Sequence, residues 1–168
     1  RVVVTFYIDD EKQLNNLTPF INSILNQNVK VDDIAMTIQY KNIDKVSEEL
    51  KKIVSVYGIS KDYGDNNKLI PTVLREPEAN TKIIIVEPMI YHEYFISDMV
   101  DASNEEPEKI IYGKKGETCY GVLVKTKFFN NNFSDCPDNI RCCDWIGMCS
   151  NRDIKEIGSD NIYKMNLK

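Results

Sequence analysis

Four consecutive apolar, β-branched residues, Ile83-Ile84-Ile85-Val86, constrain this chain more than any other feature. A run that is apolar at every position, without alternation, suits a strand covered on both faces. Such strands belong to parallel sheets with helices on either side. Val2-Val3-Val4-Thr5-Phe6 has the same character and reads as a second buried strand, central in the same sheet.

The remaining segments fit between these two. Thr18-Pro19 offers a hydroxyl N-cap followed by proline at the first helical position, and Phe20, Ile21, Ile24 and Leu25 then share one helical face. Ile34 to Tyr40 reads as a strand, Asp44 to Leu50 as a helix and Val54 to Tyr57 as an extended segment. Lys68 to Leu74 forms a short helix after the Gly64 turn, interrupted by Pro71. Tyr112 to Glu117 is a Gly/Lys loop, Tyr120 to Val124 a strand, Asp144 to Ile154 a helix and Ile162 to Met165 a terminal strand. Alternation of strand and helix predicts an α/β fold with a mostly parallel central sheet flanked by helices. There is no internal repeat or linker, so residues 1–168 are expected to form a single domain. Ligands in such sheets bind at the carboxyl ends of the strands, which directs attention to the segments after Val4, Val56 and Val86.

Charge narrows the partners. The net charge is −5, so the basic excess of a nucleic-acid module is missing, although a small anionic ligand needs only one or two lysines. The longest apolar run spans four residues, against the roughly 20 that a membrane span needs. The five cysteines, Cys119, Cys136, Cys142, Cys143 and Cys149, lack the close pairing of a zinc ribbon. Free thiols in a reducing, cytoplasmic compartment are the favoured reading, with one disulfide as the alternative. Neither a Gly-x-Gly-x-x-Gly turn nor a phosphate-binding P-loop is present, which counts against dehydrogenases and NTPases.

Three segments, in order, resemble one known pattern. Val3-Val4-Thr5 with Leu17 to Gln27 is similar to the opening of sugar-nucleotide glycosyltransferases with a GT-A-type fold. Lys61-Asp62-Tyr63-Gly64-Asp65-Asn66-Asn67-Lys68-Leu69-Ile70-Pro71-Thr72-Val73-Leu74 resembles a segment of a bacterial and large-DNA-virus glycosyltransferase group and is the most specific match. Thr81 to Tyr91 stands where that group carries a strand followed by aspartates. A weaker fourth match joins Tyr120 to Val124, Phe128-Phe129 and Cys143-Asp144-Trp145-Ile146. The resemblance implies a GT-A-like, Rossmann-like domain that transfers sugar from a nucleoside-diphosphate sugar, UDP being the commonest base, to an unknown glycan or protein acceptor. It also extends the expected location to the cytoplasm of a virus-infected host.

One departure matters. Where the group carries Asp-x-Asp, this chain reads Val86-Glu87-Pro88-Met89, so Glu87 alone supplies a carboxylate. A carboxylate at the carboxyl end of a buried strand is a functional position by geometry, and a solvated loop acid is the plain alternative. Mn²⁺ or Mg²⁺ needs several oxygen ligands. With Glu87 as the one protein ligand, the cation is expected only together with the nucleotide. A non-catalytic, degenerate module that binds without turnover is the runner-up.

The resemblance also assigns site residues. Lys68 would pair with the diphosphate, Asp62, Tyr63 and Gly64 would contact the nucleoside, and Thr5 would stand where the base-binding loop begins. Their alternatives are a surface lysine, turn chemistry and β-propensity. Asp144 stands in the region of the group's catalytic base, which takes the acceptor hydroxyl proton; a helix N-cap is its alternative.

Overall fold

The computed structural model describes residues 1–113, 121–158 and 163–166. Expectations for Cys119, Tyr120, Ile162 and most of the Gly/Lys loop lie outside the described residues.

The two unbroken apolar runs lie at the centre. Strands β1 (Val2–Ile8), β2 (Asp33–Gln39), β3 (Ser55–Ile59) and β4 (Lys82–Ile85) join β6 (Ile110–Tyr112), β7 (Val122–Lys125) and β8 (Ile154–Glu156) in one sheet. Its order is β3-β2-β1-β4-β7-β6-β8. β1 pairs in parallel with both β2 and β4, and β2 with β3. β7 runs against its neighbours β4 and β6, while β6 and β8 are parallel. A two-stranded antiparallel sheet joins β5 (Met89–Tyr91) to β9 (Tyr163–Asn166). The mostly parallel α/β architecture is therefore as expected.

The β4 run shows why alternation is missing. Ile84 and Val86 enter one core with Val4, Phe6 and Ile8, together with Phe20, Ile21 and Ile24 of α1 (Thr18–Leu25) and Phe95, Ile96 and Met99 of α4 (Phe95–Glu105). Ile83 and Ile85 enter the opposite core with Ile70 and Val73 of α3 (Ile70–Arg75) and Trp145 and Ile146 of α5 (Cys142–Ser150). Full burial of each such isoleucine contributes about 1.5–3 kcal/mol. Among the described residues, no helix is long and apolar enough to cross a membrane. Cys136, Cys142 and Cys149 are thiols outside any disulfide.

Three elements differ from expectation at their ends. The helix expected over Asp44 to Leu50 is split into a 3-10 turn, Tyr40–Lys45, and a short α2, Glu48–Lys51, because Val46 turns extended and buries its side chain. Ser47 then caps α2 by accepting from the Leu50 amide. The helix expected to reach Ile154 stops at Ser150, where Asn151 adopts a left-handed φ of 49°. Thr18 lies inside α1 rather than capping it.

Gly58 on β3 has a packing reason to be glycine. A β carbon there would run into Cδ1 of Ile43, whose side chain seats the Tyr40–Lys45 turn on the strand.

Candidate functional site

From β1 the chain moves to β2 and β3 on one side, then returns to β4 on the other. Such a reversal opens a crevice at the strands' carboxyl ends. A cleft of about 1170 Å³ lies there. Each strand end supplies a wall: Tyr7 and Asp9 at the end of β1, Gln39 and Lys41 at the end of β2, Asp62, Gly64, Asp65, Asn67 and Lys68 after β3, and Glu87 after β4.

The turn Gly64–Lys68 is the most heavily anchored piece. Gly64 has a φ of 62°, a left-handed conformation that favours glycine. The Asp62 carboxylate accepts from the Gly64 amide and from Asn67 Nδ2, both at 2.8 Å. These bonds, the Asn67 one foremost, hold its carboxyl below the usual carboxylate range. Asn67 Oδ1 in turn accepts from the Tyr63 amide at 2.8 Å. Asn66 Nδ2 donates to Cys136 Sγ and to the Ile140 carbonyl.

Lys68 is buried, with its ammonium 2.9 Å from Asp65 Oδ1 and 3.3 Å from Glu87 Oε1. Burial opposes its charge. The fields of Glu87, Cys142 and Asp65 outweigh that penalty and hold the ammonium above its ordinary pKa. Burial raises the Glu87 carboxyl above its usual value, partly offset by Lys68, while Asp65 and Asp9 add to the rise. Asp65 also accepts from the Cys142 amide at 2.7 Å, which docks the first turn of α5 against the cleft. An acid at a helix N-terminus is favourable.

The expected site residues separate into groups. Lys68, Glu87, Asp62 and Gly64 converge on the cleft. Tyr63 lines a neighbouring pocket of about 370 Å³ with Cys136 and Asp138. Thr5 lies beneath rather than in the cleft. It is fully buried, and its hydroxyl donates to the Lys68 carbonyl at 3.0 Å and shares a 2.8 Å bond with Thr72 Oγ1. Asp144 is exposed on α5, accepts from Arg141 Nε at 2.9 Å and stands outside the cleft lining. Tyr7, Asp9, Gln39 and Asn67 are cleft residues not singled out in the sequence. The strand-end rule, applied to β2 and to the true end of β1, would have found the first three.

The lining carries Asp9, Asp10, Glu11, Asp62, Asp65 and Glu87 against Lys41, Lys45 and Lys68, an acidic balance. Among the described residues, no three His, Cys, Asp or Glu side chains form a cage for a metal ion. At Glu87 the Lys68 ammonium already stands at Oε1. Glu87, the carboxylate expected to hold a cation, thus already has a cationic partner.

No family model matches this chain, and no curated protein matches it. Solved structures do share the fold. The crystal structure of residues 1–349 of S. aureus TarS aligns with a TM-score of 0.66 at 10% identity, over 98% of this chain and 59% of that one. The chain thus spans about three fifths of that fragment. A 4-diphosphocytidyl-2C-methyl-D-erythritol synthase aligns with a TM-score of 0.67 at 9% identity, over 100% of this chain and 91% of that one. At these identities the likeness is one of fold.

Proposed function

We propose that the cleft binds a nucleoside-diphosphate sugar, with UDP as the nucleotide, and that the protein transfers the sugar to a glycan or protein acceptor. One observation carries the reading: a buried ammonium, Lys68, held by Asp65 and Glu87 where β1 and β4 part. Similarity of fold supports it. The neighbours are TarS and a 4-diphosphocytidyl-2C-methyl-D-erythritol synthase, the second named for a diphosphocytidyl group.

The acidic balance of the cleft decides how a diphosphate enters. Adding its negative charge beside Glu87, Asp65 and Asp9 is unfavourable without a compensating cation. On this reading Mn²⁺ or Mg²⁺ would come with the nucleotide, and Glu87 would be the one protein residue to hold it. Such a cation would supply positive charge against the diphosphate leaving group. Lys68 holds Glu87 in place, and Asp62 with Gly64 orients the nucleoside. Asp144 has no part in this donor site; a role for it as base belongs to acceptor binding.

Calorimetry tests the reading. Mn²⁺ titrated into the free protein should give no appreciable heat, and Mn²⁺ titrated with UDP present should bind. A hydrolysis screen over nucleotide sugars then identifies the donor. Failure to bind UDP, with or without Mn²⁺, overturns the proposal. Binding without donor turnover would instead support a non-catalytic module, a reading favoured by the single carboxylate of Val86-Glu87-Pro88.

A further inference from the structure

The cleft occupies the carboxyl ends of the parallel strands. At the other end of the sheet β4 begins at Lys82 and β7 ends at Lys125. Their antiparallel register sets these two lysines directly opposite each other. Opposed residues of such a pair project from the same face with β carbons roughly 4.5–5.5 Å apart, and like charges placed so repel. Lys82 is half-buried. Lys125 is only 6% exposed, and its ammonium donates to the Pro107 carbonyl, just past α4, at 2.8 Å. A neutral carbonyl meets a hydrogen bond but leaves the charge uncompensated.

The carboxylates around Pro107 are engaged elsewhere. Glu108 holds Lys127 at 2.9 Å and also Arg152. Glu106 holds Lys109 and Lys155, and Glu105 holds Lys155. Among the described residues, neither Lys82 nor Lys125 forms an ion pair with a carboxylate. Burial, with the fields of Lys82, Lys127 and Arg152 behind it, presses the Lys125 ammonium below its ordinary pKa, and Glu108 opposes them. A cation at a helix C-terminus is favourable, which accounts for the bond to Pro107. It gives no reason for a second ammonium opposite the first.

We propose that Lys82 and Lys125 form an anion site for a phosphate dianion, free or as a monoester, at the end of the sheet remote from the cleft. Two ammonium groups match two negative charges. Each keeps N–H donors for phosphate oxygens, Lys125 two of its three. Lys127 and Arg152 add to the positive potential, since they share the one carboxylate of Glu108. Lys82 stands about 15 Å of extended chain before Glu87, so the two sites can fill independently.

Calorimetry tests the site with inorganic phosphate and with glycerol 3-phosphate, at about pH 7.5, fixed ionic strength and no divalent cation. Wild-type protein should bind at least one of them at millimolar concentration or below. Tighter binding of inorganic phosphate supports a site for the free ion, and tighter binding of glycerol 3-phosphate supports one for a monoester. Lys82→Met should weaken the binding about tenfold or more, as loss of a charge-assisted hydrogen bond predicts. Lys68→Met, at the cleft, should leave it within about twofold of wild type. Thermal melts confirm that each variant is folded, and Lys82→Gln takes the place of Lys82→Met if that chain does not fold. Absence of binding to either ligand overturns the site. Binding that survives the loss of Lys82, or that disappears in Lys68→Met, overturns it as well. No nucleotide enters the experiment, so failure of the anion site leaves the reading of the cleft standing.

Discussion

The Tyr91 hydroxyl closes on both backbone polar groups of Glu87, accepting from its amide nitrogen and donating to its carbonyl oxygen, each at 3.0 Å. The Tyr91 ring is buried and stacks on Phe95 at 4.5 Å between centroids. The turn that presents Glu87 is thereby fixed to the packed core rather than left to solvent.

Tyr91→Phe keeps the ring and removes the clasp. Leaving buried polar groups unmet costs about 1–3 kcal/mol, which denaturant unfolding should show. UDP affinity in the presence of Mn²⁺ should fall by about threefold to tenfold, equivalent to roughly 0.7–1.4 kcal/mol. Unchanged affinity would mean that Glu87 keeps its place without the clasp.

Thr5 and Lys68 are joined through backbone, not through ligand. Thr5→Val preserves shape but removes the bonds to the Lys68 carbonyl and Thr72. Unfolding free energy should drop by about 1–3 kcal/mol, while the folded variant binds UDP within about threefold of wild type. A much larger loss of affinity at little cost in stability would return Thr5 to the ligand.

Lys68→Met sets Asp65 and Glu87 facing each other without their cation. Breaking a fully buried pair costs about 3–5 kcal/mol. Here the two carboxylate side chains are 44% and 40% exposed, and water screens them. The expected loss is therefore about 1–3 kcal/mol, with UDP binding weakened by about tenfold or more. Chemical denaturation and calorimetry on the same preparation separate the two effects.

Acid should weaken cation-assisted nucleotide binding earlier than ordinary carboxylates would. Burial raises the Glu87 pKa, so this group takes up its proton above the usual glutamate range as pH falls. Its contribution to folding has the opposite sign. The folded state binds that proton more readily than the unfolded chain, so in this window Glu87 adds stability as pH drops. Asp62, whose pKa is lowered, contributes stability above its unfolded value and loses it as pH falls through the folded one. UDP titrations with Mn²⁺ between about pH 4.5 and 7.5 should show a fall that flattens in Glu87→Gln. An identical profile in that variant would assign the titration elsewhere.

What could be read in the sequence was whatever is written locally. Ile83 to Val86 declares a doubly covered strand, and the order of segments declares a parallel sheet. Contacts across the sheet are written nowhere along the chain. Lys68 and Glu87 meet only because α3 and β4 carry the chain back beside the Gly64–Lys68 turn. Thr5 seems to end its strand because the unbroken apolar run Val2-Val3-Val4 stops before it, yet β1 continues to Ile8, leaving Thr5 mid-strand and buried. Tyr7, beyond that run, reached the cleft instead. Asp144 sits in the first turn of α5, where Arg141, three residues back, satisfies it before any ligand is considered.

Gly58 gives the mouth of the cleft a gauge. Ile43 rests where a side chain on β3 would stand, and the turn it belongs to carries Lys41 and Asn42 onto the rim. The absence of a side chain at position 58 therefore leaves room for Ile43 beneath that rim. Any larger residue at position 58 has to displace the Ile43 side chain that seats the turn, while every cleft residue keeps its identity. The seat of the turn behind the rim and the chemistry of binding thus rest on different residues, the first on one that stands outside the cleft lining.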